Sequence, residues 1–328
     1  MNLLRLLELA GTRPRLSIQP ERPAEVGPHD WLFVTAEQTR GWILDAICRE
    51  IGSRQPGTWT VAYGAKIDLP QARTYFFSHY LLYLIHRQRN PHIMSGRVLV
   101  WYTHPRESRF SVEEQVEAFN ETTGMVCTCS QFRDALISQG VEPQRAQVVL
   151  GAADPDLFQP HRRRGRGAIG LSSAFYERKR PDALVELVQM LPHRRFVLLG
   201  RGWEAYDRWN ELISAPNFQY VTAPYAEYPN HNAGFDVFLS LSTLEGGPIP
   251  LIEAMMCNIA PVASRTGFAP DLIRHGENGF LFDVDAPTVE IGPLIEQAFA
   301  LKANVRRSVR RYSWDAFARQ IHSLAETV

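Results

Sequence analysis

Short apolar runs alternate with amphipathic stretches along most of the chain. In the first half the apolar runs have the length and the β-branched or aromatic content of buried strands, and they lie at residues 31–34, 58–62, 97–102, 125–128 and 146–150. Helical patterns separate them at residues 39–51, 75–87 and 111–121 and after Ser130, an N-cap residue type. Strands that alternate with helices in this way predict a mainly parallel sheet covered by helices on both faces.

The second half of the chain repeats this alternation. Predicted strands lie at residues 168–172, 195–199, 218–221, 236–240, 260–263 and 279–282, and predicted helices at 181–190, 204–213 and 252–257. Between the halves, residues 155–167 hold two prolines, two glycines and four arginines, which indicates a linker. We therefore predict two doubly wound α/β domains, one at residues 1–155 and one at 156–304, each long enough to bury its own core.

Cysteine usage and the apolar segments restrict the class of protein. The four cysteines lack the paired spacing of a structural zinc site, and Cys127 and Cys129 alternate in a pattern that predicts buried thiols. So few cysteines in a long chain favour a reducing, cytoplasmic location.

Residues 1–9 have a short amphipathic pattern that either packs on its own domain or lies at a membrane surface. The most apolar run, residues 75–85, is too short to span a bilayer, so we expect at most peripheral membrane contact.

Charge is balanced over the whole chain, with 35 basic and 35 acidic side chains and a formal net charge of zero. This balance removes any whole-molecule attraction to nucleic acid or to a membrane surface. The arginine run at residues 162–166 is a local exception, but it lacks interleaved aromatic residues and is better explained as a solvated linker than as a contact for an acidic partner. Lysine occurs only at Lys66, Lys179 and Lys302, so the other basic residues are all arginine.

One segment, residues 236–255, combines an apolar strand, a loop rich in glycine and proline, and the start of a helix. Glycine lets a ligand approach the backbone, and a helix N-terminus attracts anionic or hydroxyl-rich ligands. Glu245 and Glu253 flank the turn, and on one continuous helix they would lie about 12 Å apart, whereas the carboxylates of a retaining glycosidase need roughly 5 Å. Either each binds a different hydroxyl of one extended ligand, or Glu245 is a solvated loop residue and Glu253 stabilises the helix start.

These two glutamates and their surroundings resemble a known family. Seven residues separate Glu245 from Glu253, and this spacing is similar to the E-x7-E motif of the retaining family 4 glycosyltransferases, which have the GT-B fold. Further stretches resemble later motifs of that family and its interdomain motif, namely residues 253–263, 267–273, 276–281 and 151–160. The resemblance covers about residues 125–285. It implies two Rossmann-like domains that face a cleft, with a C-terminal helix at about residues 305–328 that crosses back to the first domain.

The resemblance implies how the second domain would bind a nucleotide-diphosphate sugar. Glu245 would contact hydroxyl groups of the donor sugar and Glu253 would bind the nucleotide ribose. Backbone amides at Gly246 and Gly247 would help to hold the sugar and the phosphate. Pro248 and Pro250 remove two such donors, since proline has no N–H group.

A cationic pair and a glycine pair complete the donor side. Lys179 stands where the family has a lysine that contacts the diphosphate, and Arg178 would substitute for a family arginine whose position is Ser173 here. Two cations at this point can neutralise a departing diphosphate; without the resemblance they could equally be a charged helix start. Gly200 and Gly202 follow a predicted strand and would let the backbone approach the nucleotide, although G-x-G by itself is a weak signal.

Three residues of the first domain are expected on the acceptor side. His104 ends the strand 97–102 and resembles a family histidine near the reacting sugar and the acceptor, so we count it with Glu245 and Lys179 as catalytic. His79 falls inside the predicted helix 75–87, where it is either a helix-face residue or a contact to the acceptor. Gly41 lies in the turn after the first predicted strand.

No metal and no cofactor is expected. Residues 154–156 have the D-x-D pattern of a metal site but belong to the interdomain motif, and the resemblance implies transfer without a metal. Residues 165–170 satisfy G-x-G-x-x-G, but they precede a strand instead of following one, which is wrong for a dinucleotide site.

The sequence therefore predicts an enzyme of polysaccharide or glycolipid biosynthesis. It would move a sugar, with retention of anomeric configuration, from a nucleotide-diphosphate sugar to a hydroxyl group of a glycan or lipid-linked acceptor, and it would bind no nucleic acid. Two alternatives remain: a nucleotide-sugar epimerase or phosphorylase on the same fold, and a sugar-nucleotide-binding protein without turnover. The expected location is the cytoplasm, with at most peripheral contact at the inner face of the membrane.

Overall fold

The chain forms two six-stranded sheets in a computed structural model that describes residues 29–41 and 43–327. The amphipathic pattern predicted at residues 1–9 lies outside the described residues. Contacts between Cα atoms divide the chain into two compact units. The first comprises the chain up to Val126, Ile137–Gln147 and the residues from Ile321 onward, and the second comprises Cys127–Leu136 and Val148–Gln320.

The first sheet has the strand order β2-β1-β3-β4-β5-β6. Its strands are β1 His29–Thr35, β2 Trp59–Tyr63, β3 Ala72–Phe77, β4 Arg97–Tyr102, β5 Gly124–Cys127 and β6 Ala146–Val148. The connecting helices are α1 Ile43–Gly52, α2 Tyr80–Arg89, α3 Val112–Asn120 and α4 Ser130–Gln139. β1 pairs with β2 on one side and with β3 on the other, both in parallel, so the order of strands reverses between β1 and β3.

The second sheet has the order β12-β11-β10-β7-β8-β9, and its strand pairings are parallel. Its strands are β7 Ala168–Ala174, β8 Phe196–Arg201, β9 Phe218–Val221, β10 Phe235–Ser240, β11 Ala260–Ser264 and β12 Phe280–Phe282. The helices that follow β7 are α5 Pro181–Met190, α6 Trp209–Ile213, α7 Tyr228–Asn232, α8 Ile249–Met256, α9 Ala269–Leu272, α10 Thr288–Ala300, α11 Val305–Val309 and α12 Trp314–Glu326. The chain runs from β7 out to β9 and returns to the other side of β7 as β10. The strand order therefore reverses between β7 and β10, and open α/β sheets bind ligands at such a reversal.

The prediction of doubly wound parallel sheets is confirmed. The apolar runs become strands because both of their faces are covered: β7 and β8 bury Ile169, Phe196 and Leu198 against Leu184 and other apolar residues of α5. The final helix α12 begins in the second unit, and its last turns group with the first unit.

One predicted element, a single helix over residues 75–87, is wrong. Its first three residues belong to β3, which pairs with β1 and β4 in the middle of the sheet. The helix α2 begins only at Tyr80, and His79 caps it because its Nδ1 accepts a hydrogen bond of 3.2 Å from the backbone N–H of Leu81. The continuous apolar run had no period that distinguishes a buried strand from a buried helix.

The four cysteines are free and buried, as the pattern at Cys127 and Cys129 predicted. Burial raises the pKa of the Cys127 thiol to about 12 and that of Cys129 to about 11, so both remain protonated near neutral pH. Among the described helices, none is both long and apolar enough to cross a bilayer.

Candidate functional site

The loops after β7 and β10 build the centre of the site within the second unit. After β7, a turn of 3₁₀ helix at Glu177–Lys179 leads to Arg180, whose φ of 53° lies in the left-handed region, and α5 begins at Pro181. The Arg180 guanidinium holds this turn in place by donating to the backbone carbonyls of Val284, at 3.1 Å, and Ala286, at 2.7 Å. The turn therefore presents Arg178 and Lys179 from a fixed backbone.

A buried cluster of charge forms where these two loops meet. The Lys179 ammonium group contacts Oε1 of Glu245, and the Arg178 guanidinium lies 3.1 Å from the same oxygen. Arg178 also donates to the carbonyl of Leu244 at 2.6 Å, and the Ser242 hydroxyl donates to Glu245 at 2.6 Å. The predicted cations and the predicted glutamate are thus brought together at the reversal point between β7 and β10.

Glu245 is ionised at neutral pH despite its burial. Only 7% of its surface is exposed, and burial alone would raise the pKa of its carboxyl group. The charges of Lys179 and Arg178, with hydrogen bonds from Lys179 and Ser242, overcome this effect and lower the pKa below its ordinary value. The carboxylate fixes the two cations in one place, an arrangement that can bind a diphosphate and the hydroxyl groups of a sugar.

The loop that carries Glu245 packs tightly on the segment after β11. The backbone N–H of Glu245 donates to the Thr266 hydroxyl at 3.0 Å, and the Gly246 carbonyl accepts from the N–H of Phe268 at 3.1 Å. Gly267 has a φ of 57°, and a Cβ atom there would lie 2.4 Å from the Gly246 carbonyl oxygen. Gly247 is equally confined, since its Cβ would lie 2.8 Å from the Phe268 ring. These glycines set the path of the loop.

Glu253 lies on α8, and its environment differs from that of Glu245. Because α8 begins at Ile249, the two glutamates do not share one helix, and the 12 Å spacing of a continuous helix does not apply. Glu253 is 1% exposed and accepts a hydrogen bond of 2.5 Å from the Tyr225 hydroxyl. Burial raises the pKa of Glu253 to about 7, and the Tyr225 hydrogen bond acts in the opposite direction.

The glycine pair follows β8, next to β7 in the sheet. A Cβ on Gly200 would lie 2.3 Å from the backbone carbonyl of Ser173, so a larger residue cannot occupy this position without moving a strand end. Gly202 has a φ of 73° and precedes a 3₁₀ turn whose Trp203 side chain donates to the same carbonyl at 3.0 Å. The conformation of the turn itself therefore requires both glycines, whether or not a ligand approaches it.

A small cavity lies at the ends of β7 and β10, inside the second unit. Its lining includes Ser172 and Ser173 from β7, Lys179 from the following turn, and Ser242 and Pro248 from the loop after β10. Apolar residues such as Trp203 and Leu241 complete the lining, so the cavity combines apolar walls with a few hydroxyl groups and one lysine.

The predicted acceptor-side residues lie at strand ends of the first unit. His79 follows β3 and His104 follows β4. Burial lowers the pKa of His79 to about 3, and the nearby charges of Arg106 and His104 act in the same direction. His79 is therefore neutral, with Nδ1 used in capping α2. Gly41, with a φ of 74°, donates its N–H to Asp45 at 2.7 Å in the turn after β1.

Three contacting residues were missed at the sequence level: Ser242, Thr266 and Tyr225. Ser242 and Thr266 follow strand ends, so their position after β10 and β11 was the available signal. Tyr225 lies in a loop after β9 that had no distinctive pattern.

Asp154 of the D-x-D run accepts from the backbone N–H groups of Asp156, at 2.8 Å, and Leu157, at 3.1 Å, and so shapes a turn. Within the described residues no cluster of three metal-ligating side chains occurs.

The comparisons with known proteins point to one family. The model of the family "Glycosyl transferases group 1" matches residues 155–313. The phosphatidyl-myo-inositol mannosyltransferase of Mycobacterium tuberculosis is 29% identical over 213 residues, which cover 60% of this chain and 56% of that protein. The MMP α-(1→4)-mannosyltransferase of Mycolicibacterium hassiacum is 27% identical over 261 residues, which cover 74% of this chain and 63% of that protein. The chain thus spans somewhat more than half the length of these curated relatives.

A solved structure shows the same fold over nearly the whole chain. HepE of Anabaena, crystallised with UDP and glucose, superposes with a TM-score of 0.73 at 13% identity and covers 92% of this chain and 100% of its own. The likeness therefore includes the first sheet, where the sequence motifs are weakest. Residues 155–313 therefore form a group 1 glycosyltransferase domain, in agreement with the E-x7-E resemblance and with the mannosyltransferase relatives, and the likeness to HepE shows the two-sheet fold over the rest of the chain.

Proposed function

We propose that the protein is a retaining glycosyltransferase that moves a sugar from a nucleoside-diphosphate sugar to a hydroxyl group of a glycan or lipid-linked acceptor. The observation that supports it best is the convergence of Lys179 and Arg178 on Glu245 at the reversal point of the second sheet. Two cations and a carboxylate at such a point match a donor whose diphosphate is anionic and whose sugar carries hydroxyl groups.

Each donor-side residue has a role in this proposal. Lys179 and Arg178 bind the diphosphate and stabilise the charge that develops when its bond to the anomeric carbon breaks. Glu245 orients the sugar through its hydroxyl groups, and the confined loop at Gly246 and Gly247 brings backbone N–H groups close to the sugar. Glu253 accepts hydrogen bonds from the ribose. Gly200 and Gly202 let the turn after β8 approach the nucleotide, since neither carries a side chain.

The reaction itself exchanges two bonds at the anomeric carbon. The acceptor oxygen forms a bond to this carbon and loses its proton, and the nucleoside diphosphate leaves with the electron pair of the broken bond. His104, with His79 and Gly41 on the acceptor side, orients the sugar or the acceptor. No side chain is proposed as a covalent nucleophile, and no metal or other cofactor is included.

The acceptor class is supported by the names of the relatives. One of them is a phosphatidyl-myo-inositol mannosyltransferase, which favours a lipid-linked acceptor reached from the cytoplasm by peripheral contact with the membrane. Nucleic acid is not included among the partners because the chain has no net positive charge.

The proposal is tested in two steps on the full chain. Thermal-shift screening against UDP-, GDP-, dTDP- and ADP-sugars identifies the donor, because a ligand that binds the folded state raises its melting temperature. NMR analysis of the products then has to show a glycoside with the anomeric configuration of the donor. A free epimerised sugar nucleotide, a product that forms only with inorganic phosphate, or binding without any turnover would each contradict transfer.

A further inference from the structure

Glu253 is a buried carboxylate held by an exposed tyrosine. Its side chain is 1% exposed, whereas 50% of Tyr225 is exposed. Within the described residues, the Tyr225 hydroxyl provides the only hydrogen bond to the Glu253 carboxylate, to Oε1 at 2.5 Å, and no cation forms an ion pair with it. A buried carboxylate with one partner is costly for the fold, so its arrangement calls for a functional reason.

The position of the Tyr225 ring is fixed by two aromatic neighbours. Phe158, from the segment that resembles the interdomain motif, lies edge-on with ring centroids 6.1 Å apart, and Tyr228 lies 5.6 Å away. Phe158 is fully buried and so provides a rigid support. Tyr225 also starts a 3₁₀ turn, Tyr225–Glu227, that continues directly into α7. Its hydroxyl is therefore directed at Glu253 by the ring packing and by the backbone together.

Among the groups near Glu253, the Tyr225 hydroxyl favours the ionised form of the Glu253 carboxyl group. Burial, and to a smaller extent the charge of Glu253, raise the pKa of the Tyr228 hydroxyl and of the Cys257 thiol, so both groups stay neutral. Arg201 is close enough to Tyr228 to lower the pKa of the Tyr228 hydroxyl group. Ionisation of Glu253 near neutral pH thus depends on the hydrogen bond from Tyr225.

We propose that Tyr225 is a positioning residue for the donor: its hydroxyl holds the Glu253 carboxylate ionised and oriented so that the free oxygen accepts hydrogen bonds from the ribose diol. This inference rests on the proposed function, in which Glu253 binds ribose. An ionised carboxylate has about four lone-pair sites, and Tyr225 uses one of them on Oε1. Oε2 remains for the ligand, and Tyr225, whose hydroxyl contacts Glu253, is itself half exposed.

The test compares Tyr225→Phe with the wild type and with Tyr228→Phe, which removes a hydroxyl from the same aromatic group. Affinity for UDP-glucose and GDP-mannose, whose diphosphate diesters do not titrate in this range, is measured by calorimetry from about pH 6 to about pH 9. Tyr225→Phe should weaken binding about tenfold near pH 7 and move the pH midpoint of binding upward by about one unit. The defect should shrink at the high-pH end, and Tyr228→Phe should keep the wild-type midpoint.

Pyrophosphate, which has no ribose, separates this inference from the proposed function. Its affinity should be the same in Tyr225→Phe and in the wild type. An unchanged midpoint in Tyr225→Phe, an equal shift in Tyr228→Phe, or an equal loss of pyrophosphate binding would overturn the role of Tyr225. If the wild type binds pyrophosphate but none of the UDP-, GDP-, dTDP- and ADP-sugars, both the role of Tyr225 and the proposed function are wrong.

Discussion

Glu245 and Glu253 are both buried, but their surroundings move their pKa values in opposite directions. Two cations and a serine hydroxyl surround Glu245 and lower its pKa, whereas Glu253 has a tyrosine hydroxyl and a pKa raised to about 7. Such divergent pairs are typical of functional sites, where one fold needs groups with different charge behaviour. Glu253 consequently lowers the stability of the folded protein wherever it has to be ionised.

This cost predicts a pH-dependent effect of Glu253→Gln on stability. The folded pKa of Glu253 lies above its ordinary value of 4.5, so the folded state binds the proton more tightly, and stability falls as pH rises from about 4.5 to about 7. This shift in the pKa of Glu253 corresponds to a loss of about 3 kcal/mol in the free energy of unfolding. Urea unfolding should show Glu253→Gln to be more stable than the wild type by about 1–3 kcal/mol at pH 8, with little difference near pH 4.5.

Glu245→Gln is the matched comparison for this stability measurement. Glu245 is stabilised by ion pairs with Lys179 and Arg178, and the loss of its charge leaves these buried or half-buried cations without their partner. The variant should therefore be less stable than the wild type at pH 8. If both glutamine variants were destabilised equally at pH 8, the difference that we assign to the two carboxylates would be wrong.

At this scale, the sequence located charged groups better than the hydroxyl groups that hold them. Lys179, Arg178 and Glu245 were predicted to act at one site, and they do meet there, because each lies in a loop after one of two neighbouring parallel strands, β7 or β10. Ser242 follows a strand end, which was a signal for it, but Tyr225 could not be assigned in advance. Its contact with Glu253 depends on the path of a loop through space, and no spacing in the chain encodes that path.

Among the elements of the fold, the loop between β10 and α8 depends most closely on backbone geometry. Gly267 has a left-handed conformation, and a Cβ atom there would lie 2.4 Å from the carbonyl oxygen of Gly246, beside Glu245. We predict that Gly267→Ala displaces this loop, destabilises the protein by at least about 2 kcal/mol and weakens donor binding. Chemical unfolding and calorimetry with the identified donor measure the two effects.

Gly276→Ala is the control for backbone strain alone. Gly276 has a φ of 81°, and a Cβ atom there would meet no atom within 4 Å. This variant should cost only about 1 kcal/mol and bind the donor like the wild type. Equal effects of the two substitutions would mean that strain, and not the contact with Gly246, controls the loop.

The elements also show where a pattern of apolar residues is ambiguous. Residues 97–102 were predicted as a strand and form β4, since four of these six residues are β-branched or aromatic. Residues 75–87 have the same character over a longer run, in which β3 ends and α2 begins within three residues. The turn at Ser78 and His79 carries neither glycine nor proline, and the boundary was therefore invisible to the usual signals.

For the whole molecule, the two sheets were predicted from alternation alone, whereas the family required motifs. Those motifs lie mostly in the second half, and the family match covers residues 155–313. The first half diverges in sequence but keeps the fold, as the likeness to HepE over 92% of the chain shows. Parallel α/β sheets tolerate such divergence because buried strands need only apolar residues of suitable size.

The central claim is that Lys179 and its neighbours bind the diphosphate of a sugar nucleotide. Lys179→Ala leaves Glu245 paired with Arg178 and Ser242, so the fold should persist, and melting temperature checks this. The protein offers two matched controls, since Lys66 and Lys302 are its only other lysines and both are exposed.

The most direct measurement is the rate of nucleoside-diphosphate release from the donor that screening identifies. We predict that Lys179→Ala lowers kcat/KM by about 10²–10³-fold, the usual effect of removing a group that stabilises developing charge, while Lys66→Ala and Lys302→Ala retain the wild-type rate. A folded Lys179→Ala protein that releases nucleoside diphosphate at the wild-type rate would contradict the account.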